Sequence, residues 1–422
     1  MTAPLPTSLF GALEMAPRDP ILGVTEAFVA DPNPKKVNLG VGVYNDDTGK
    51  LPLLECVKRV EQALTSKNMS RGYLPIDGIA AYDKASQAMV FGSDSELIKS
   101  GRIVTLQALG GTGALKVGAD FLRRLLPDAS AWISDPSWEN HRALFEMAGF
   151  KVNNYKYYDA ATRGLDFAGL IASIDAMPEG DVIVLHACCH NPTGVDPTEA
   201  QWTTIIERVR ARNLVPMLDL AYQGFGDGID ADAAVVRRFA KTLGPFLVAS
   251  SYSKSFSLYG ERCGALSIVA GDAQEAMRVL SQVKRTARTN YSSPPTHGGQ
   301  IVSTVLASPE LRVLWEGELA EMRDRIRAMR RELVEQLKKR TSADFSFVMR
   351  QRGMFSYSGL SKEAVQMLRS KYSIYVIDTG RICVAALNSR NIEYVADAIA
   401  DVLQSPAART SDSAAQVTVQ VA

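Results

Sequence analysis

Net charge is almost missing from this chain: across 422 residues, 47 Lys and Arg stand against 46 Asp and Glu. So even a balance gives neither nucleic acid nor an acidic membrane surface a broad charge to hold. Cysteine is sparse as well. The five thiols, at positions 56, 188, 189, 263 and 383, are odd in number and irregular in spacing. A disulfide framework is therefore not expected, and a reducing compartment is. No apolar run approaches the ~18 residues that crossing a bilayer requires. The first twenty residues carry neither a basic stretch nor an apolar one of the kind a secretion signal needs. The expectation is a cytoplasmic protein with no membrane or nucleic-acid partner. There is no Walker A or GxGxxG pattern and no internal repeat.

What is present is a long alternation of helical and strand patterns. Leu54, Val57, Val60 and Leu64 mark a helical face, while 182–185, 214–218 and 245–248 are short apolar runs typical of strands covered on both sides. Such alternation predicts an α/β fold whose mostly parallel, doubly wound sheet takes ligands beyond the carboxyl ends of its strands. Residues 37–44 read as a short strand, Asp19-Pro20 as a helix start, and 309–340 as a long charged helix. The short strands expected after it (345–349, 374–377, 382–386) and two helices point to a second, smaller α+β domain. The expected division is an N-terminal arm over 1–18, a small domain from 19–50 and 318–405, a large domain over 51–317, and a disordered tail over 406–422.

Chemistry concentrates at the predicted strand ends. Lys254, in Ser251-Tyr-Ser-Lys254, follows the apolar run 245–249 and precedes Arg262. Burial and a cationic neighbour lower an amine's pKa, as condensation with an aldehyde such as pyridoxal phosphate requires. That cofactor also needs a phosphate site, a carboxylate for its ring nitrogen and a cation for the substrate carboxylate. Gly110-Gly-Thr-Gly113, between a strand and a helix, offers the first, although alone it is also an ordinary turn. Asp219, at the end of the 214–218 strand, offers the second, although an Asp there also caps turns. Arg381 and Arg288 are candidates for the third, and Trp138 suits stacking on a flat ring. His186-Ala-Cys-Cys-His190 resembles a zinc motif, but neighbouring side chains on a strand face opposite ways and no second Cys/His cluster exists, so no metal is expected. Asn191-Pro-Thr-Gly194 places an amide at the sheet edge instead.

Seven segments in order (70–78, 110–115, 190–194, 219–225, 251–256, 260–264 and 290–295) resemble the class I pyridoxal-phosphate aminotransferases. The resemblance runs from about Asp19 to Gln404 and points to the bacterial aspartate and aromatic amino acid branch. It implies that Lys254 holds the cofactor aldehyde and then carries the proton, and that Asp219, steadied by His141, pairs with the ring nitrogen. Asn191 and Tyr222 would bond the phenolic oxygen and Trp138 stack on the ring. Gly111, Thr112, Ser251, Ser253 and Arg262 would hold the phosphate, joined by Tyr73 of a second subunit. Arg381 would clamp the substrate's α-carboxylate beside Gly42, with Arg288, again from the neighbour, meeting a distal carboxylate. A homodimer with a shared site and a ping-pong reaction follow.

For substrates, Leu51 near the entrance, Ser293, 257–260 and 353–357 resemble the aromatic-accepting branch, and Val43 and Thr112 the aspartate branch. The expectation is transfer from tyrosine, phenylalanine or aspartate to 2-oxoglutarate. The alternatives are strict aspartate specificity, a β-lyase or decarboxylase on the same fold, a non-catalytic ligand sensor, and a nicotinamide enzyme.

Overall fold

Aliphatic runs set between helical stretches form a seven-stranded sheet in the computed structural model, which describes residues 10–16, 21–68, 70–242 and 244–405. Numbered in chain order within that sheet, the strands are β1 (Ile103–Leu109), β2 (Ser130–Asp135), β3 (Lys151–Lys156), β4 (Val182–His186), β5 (Val215–Leu220), β6 (Phe246–Ser251) and β7 (Cys263–Val269). They lie in the order β1-β7-β6-β5-β4-β2-β3. β7 runs antiparallel to both neighbours, and every other pair is parallel. Parallel neighbours need crossovers. The helices Glu139–Met147, Phe167–Ala176 and Glu199–Ala211 provide them around β2 to β5. With both faces covered, β4, β6 and β7 are buried along their whole length, and the apolar runs 182–185 of β4 and 246–249 of β6 reflect that.

The charged stretch forms one helix, Pro309–Lys338, started by proline in the first turn and by the Ser308 hydroxyl, which accepts from the Leu311 N–H. Beyond it, Phe355–Tyr357 pairs antiparallel with Arg381–Cys383, and Val37–Asn38 pairs parallel with Ile374–Tyr375. The amino-terminal segment is thus stitched to the far end of the chain.

Three local expectations are corrected. The strand expected over 37–44 stops at Asn38, where the Asn38 side chain accepts from the Gly40 N–H and turns the chain off the ladder. Residues 345–349 are no strand; Asp344 bonds the Ser346 N–H at 2.7 Å and a 3₁₀ turn spans Ser346–Arg350. The run 382–386 ladders only as far as Cys383 and then tightens into the turn Val384–Ala386. The expected helix start at Asp19-Pro20, most of the arm and the tail over 406–422 lie outside the described residues. Residues 10–16 are exposed, and the nearest helix spans Leu22–Ala30. Among the described residues no helix is long and apolar enough to cross a membrane.

Candidate active site

Strand register gathers the chemistry. His186 of β4 lies opposite Asp219 of β5, Asp219 opposite Ala249 of β6, and Ser251 of β6 opposite Gly264 of β7. The carboxyl ends of β4, β5 and β6 therefore open into one cavity of about 380 Å³. At its centre the Asp219 carboxylate is buried and meets His141 Nε2 at 3.0 Å, while His141 Nδ1 contacts the Ser137 hydroxyl at 2.9 Å. Burial alone would raise the Asp219 pKa. The bond to His141 and the charge of Lys254 outweigh it, and the carboxyl stays below its ordinary value. Lys254 Nζ lies 4.9 Å from the Tyr222 ring. Burial, helped by Arg262 and opposed by Asp219, pulls the lysine down to about 8. Burial pushes the Tyr222 phenol well up.

One wall is an anion cradle. Gly110 turns the chain from β1 into the helix Gly110–Leu125 with φ 68°, a conformation glycine adopts without strain. A side chain at Gly110 would come within 2.4 Å of Arg262 Nη2. The first-turn N–H groups of that helix carry a positive partial charge, and Gly111 and Thr112 line the cavity. Facing them, Ser251 Oγ bonds Ser253 Oγ at 3.2 Å, and Arg262 Nη1 reaches Ser253 Oγ at 3.3 Å.

The opposite wall comes from the second group of strands. Arg381 is 1% exposed; it donates to Asn191 Oδ1 at 3.1 Å and to the Gly40 carbonyl at 2.6 Å, and its guanidinium lies 4.3 Å above the Phe355 ring. Among the described residues its Nε has no partner. Gly42 lets that ring approach, since a Cβ there would sit 2.6 Å from it. Trp138 closes the side, its ring 5.2 Å from that of His141.

Two expected site residues lie elsewhere. Tyr73 is 96% exposed, and Arg288, exposed at the end of the helix Ala273–Tyr291, bonds only the Ser292 hydroxyl among the described residues. Their segments are neighbours, joined by the 2.7 Å pair of Asp77 with Lys284. Leu51 is 44% exposed and does not line the cavity, nor does Ser293, whereas Val43 and Thr112 do. Phe355, Tyr259, Leu115 and His186 also line it; the first three lie in the segments 353–357, 257–260 and 110–115 that the resemblance marks without giving these residues a role. His186, at the end of β4 beside Asp219, is signalled by its place in the His186–His190 motif.

The family model for class I and II aminotransferases matches residues 34–399. The chain belongs to that family. It is an aminotransferase, and pyridoxal phosphate is the family's cofactor. It is 62% identical over 397 residues to an aspartate aminotransferase of Pseudomonas aeruginosa, covering 94% of this chain and 100% of the relative. It is 47% identical, with the same coverage, to the aromatic-amino-acid aminotransferase of Escherichia coli K12. An aromatic-amino-acid aminotransferase of Burkholderia pseudomallei, solved covalently bound to pyridoxal phosphate, superposes with a TM-score of 0.92 at 63% identity, covering 94% of this chain and all of that one.

The aminotransferase pocket suits the cofactor on its own chemistry. The Gly110 cradle would be filled by a Cβ, a low-pKa amine faces a buried carboxylate, and His186 Nδ1 and Nε2 and Arg381 Nε are buried without partners among the described residues. The zinc-like cluster is different from what strand alternation implied. Cys189 takes a left-handed backbone, φ 51°, so both thiols turn the same way and lie with the Asp232 carboxylate within 4.8 Å of one another. Cys188 is raised by its hydrogen bond to Cys189 and by burial. Cys189 is raised to about 11, burial outweighing the bond from Cys188. Asp232 already accepts from the N–H groups of Gly224, Gly226 and Asp227. Protonated thiols beside a committed carboxylate make a poor ligand set at neutral pH.

Proposed function

We propose that this aminotransferase accepts both aromatic and dicarboxylic L-amino acids (tyrosine, phenylalanine and aspartate), with 2-oxoglutarate as the amino acceptor. The observation that carries this reading is a buried guanidinium, Arg381, with one donor unpartnered among the described residues, lying against the Phe355 ring in a cavity that Val41 and Leu115 also line. The guanidinium answers the α-carboxylate common to all these substrates, and the apolar wall answers a ring. The names of the relatives fall on both sides, aspartate and aromatic.

In this reading Ser251, Ser253, Arg262 and the N–H groups of Gly111 and Thr112 hold the phosphate. Asp219 keeps the ring nitrogen protonated, held in place by His141. Asn191 and Tyr222 bond the phenolic oxygen, and Trp138 covers the ring. Bound there, pyridoxal phosphate supplies a ring that accepts the electron pair left when the substrate's Cα–H bond breaks. Lys254 Nζ, with its lowered pKa, is the base that takes that proton.

Arg288 and Tyr73 are supplied to the site of a second copy in a homodimer, which also brings in the distal-carboxylate contact. Their exposure on adjacent segments, with Leu53 also 59% exposed, supports this. The pairing of Val37–Asn38 with Ile374–Tyr375 supports the division into a large domain over 51–317 and a small one from 19–50 and 318–405. A cytoplasmic location fits five buried, unpaired cysteines.

The test is steady-state kinetics with tyrosine, phenylalanine and aspartate as donors against 2-oxoglutarate. Turnover of aspartate and of at least one aromatic donor is expected. Turnover of aspartate alone would reduce the enzyme to the strict dicarboxylic type.

A further inference from the structure

A crevice of about 370 Å³, formed between the long helix Pro309–Lys338 and the segments around 226 and 350, is lined among the described residues by five arginines and a single carboxylate. The arginines are Arg327, Arg330, Arg331, Arg350 and Arg352, and the carboxylate is Asp227. Asp227 is already shared, one oxygen accepting from Arg327 at 2.9 Å and the other from Arg352. The Arg331 side chain has no hydrogen bond or ion pair among the described residues. Arg350 reaches only the Thr162 carbonyl, at 3.5 Å.

The fifth arginine is the unusual one. Arg330 is 3% exposed, yet its partners are all carbonyl oxygens, those of Val348, Gly353 and Phe355. Carbonyls satisfy its donors without neutralising its charge, and burial draws its pKa down to about 10. Arginine forks match planar, multivalent oxyanions. A buried uncompensated guanidinium at the base of a pocket, with further forks at the rim, is the arrangement such an anion fills.

The floor of the crevice is also the back of the active site. The Arg352 N–H donates to the Gly194 carbonyl at 2.7 Å, in the turn that presents Asn191. The Phe355 carbonyl faces Arg330 while its ring lies against Arg381.

We propose that this crevice is a second anion site, taking a small oxyanion with two or more negative charges, of the pyrophosphate or polycarboxylate kind. Its occupancy acts through residues 352–355 on the substrate end of the pocket.

The experiment titrates the cofactor-loaded enzyme by calorimetry, at low salt, with sodium pyrophosphate and separately with citrate. Saturable binding of at least one is expected. The double variant Arg331→Gln/Arg350→Gln, which changes two exposed side chains, should weaken it at least tenfold. Arg381→Gln should leave it unchanged. A preference for pyrophosphate assigns the site to phosphoryl ligands, and one for citrate to polycarboxylates. In the parent enzyme, the bound anion should shift the KM for the amino-acid donor, and the shift should vanish in the double variant. No saturable binding of either anion would overturn the proposal. So would binding that survives the double substitution or is lost with Arg381→Gln, since the anion would then occupy the substrate pocket. Binding with no change in KM would overturn the coupling.

Discussion

At the cofactor end of the pocket, Asp219, Ser251, Ser253, Lys254 and Arg262 come from neighbouring strand ends of one sheet, aligned by ladder register. At the substrate end, Gly42, Asn191, Phe355 and Arg381 come from segments far apart in the chain; the bond from Arg381 to the Gly40 carbonyl spans 341 positions. The first arrangement is as rigid as the sheet that carries it. The second depends on how two groups of strands meet and, in the proposed dimer, on a surface of another copy. Cofactor binding and substrate choice should therefore respond to different substitutions.

The largest effect expected is that of Lys254→Ala. Removing the amine should lower kcat on the order of 10⁴-fold, the upper range for losing a positioned base, while cofactor still binds through the cradle. Full activity in that variant would refute the role given to Lys254. Arg381→Gln tests the separation of the two ends. It should cut kcat/KM for every donor roughly a hundredfold, the usual cost of losing a buried charged anchor. Cofactor retention on gel filtration should be unaffected. If cofactor is lost as well, the two ends are not independent.

The difference also explains what the sequence could disclose. Buried parallel strands read as apolar runs, and each functional residue at their ends follows such a run, so Lys254, Asp219 and the turn at Gly110 were visible as strand-end chemistry. Arg381 was visible as an arginine between apolar runs, but its contact with Gly40 was not, because nothing local encodes a pairing so distant. Phe355 and Tyr259 lie in segments whose likeness to the aromatic-accepting branch is visible, but their places in the cavity wall, Phe355 against Arg381, come only through packing. Cys188 and Cys189 were misplaced because strand alternation was extended beyond His186, where the ladder ends and a left-handed residue reverses the next side chain. Residues 345–349 misled for a related reason: an apolar run looks the same in a strand and in a turn, and an Asp side chain decided between them.

Arg288→Ala sharpens the substrate end alone. If a partner's Arg288 meets the distal carboxylate, aspartate should lose about tenfold or more in kcat/KM, the scale of one charge-assisted bond at a partly solvated site. Phenylalanine should lose no more than a few-fold. Equal losses would break the assignment of two binding modes to one pocket.

The smallest effect separates the cofactor end from an ordinary surface lysine. A neutral amine is the reactive form, and Lys254 is pulled from 10.5 to about 8 by burial, with Arg262 adding to the pull and Asp219 opposing it. At pH 7 roughly a tenth of the amine is free, and the fraction rises through pH 8. The rate at which apoprotein captures pyridoxal phosphate, followed by absorbance, should rise with a midpoint near 8. A midpoint near 10.5 would show the pocket does nothing to the amine. The sign for stability follows from the same shift: the unfolded chain holds this proton up to 10.5 and the folded one only to about 8, so this group makes apoprotein stability rise with pH between those values. Asp219→Asn removes the charge that keeps the proton on, and should move the capture midpoint further down. An upward move would mean that Asp219 acts on the lysine through something other than its charge.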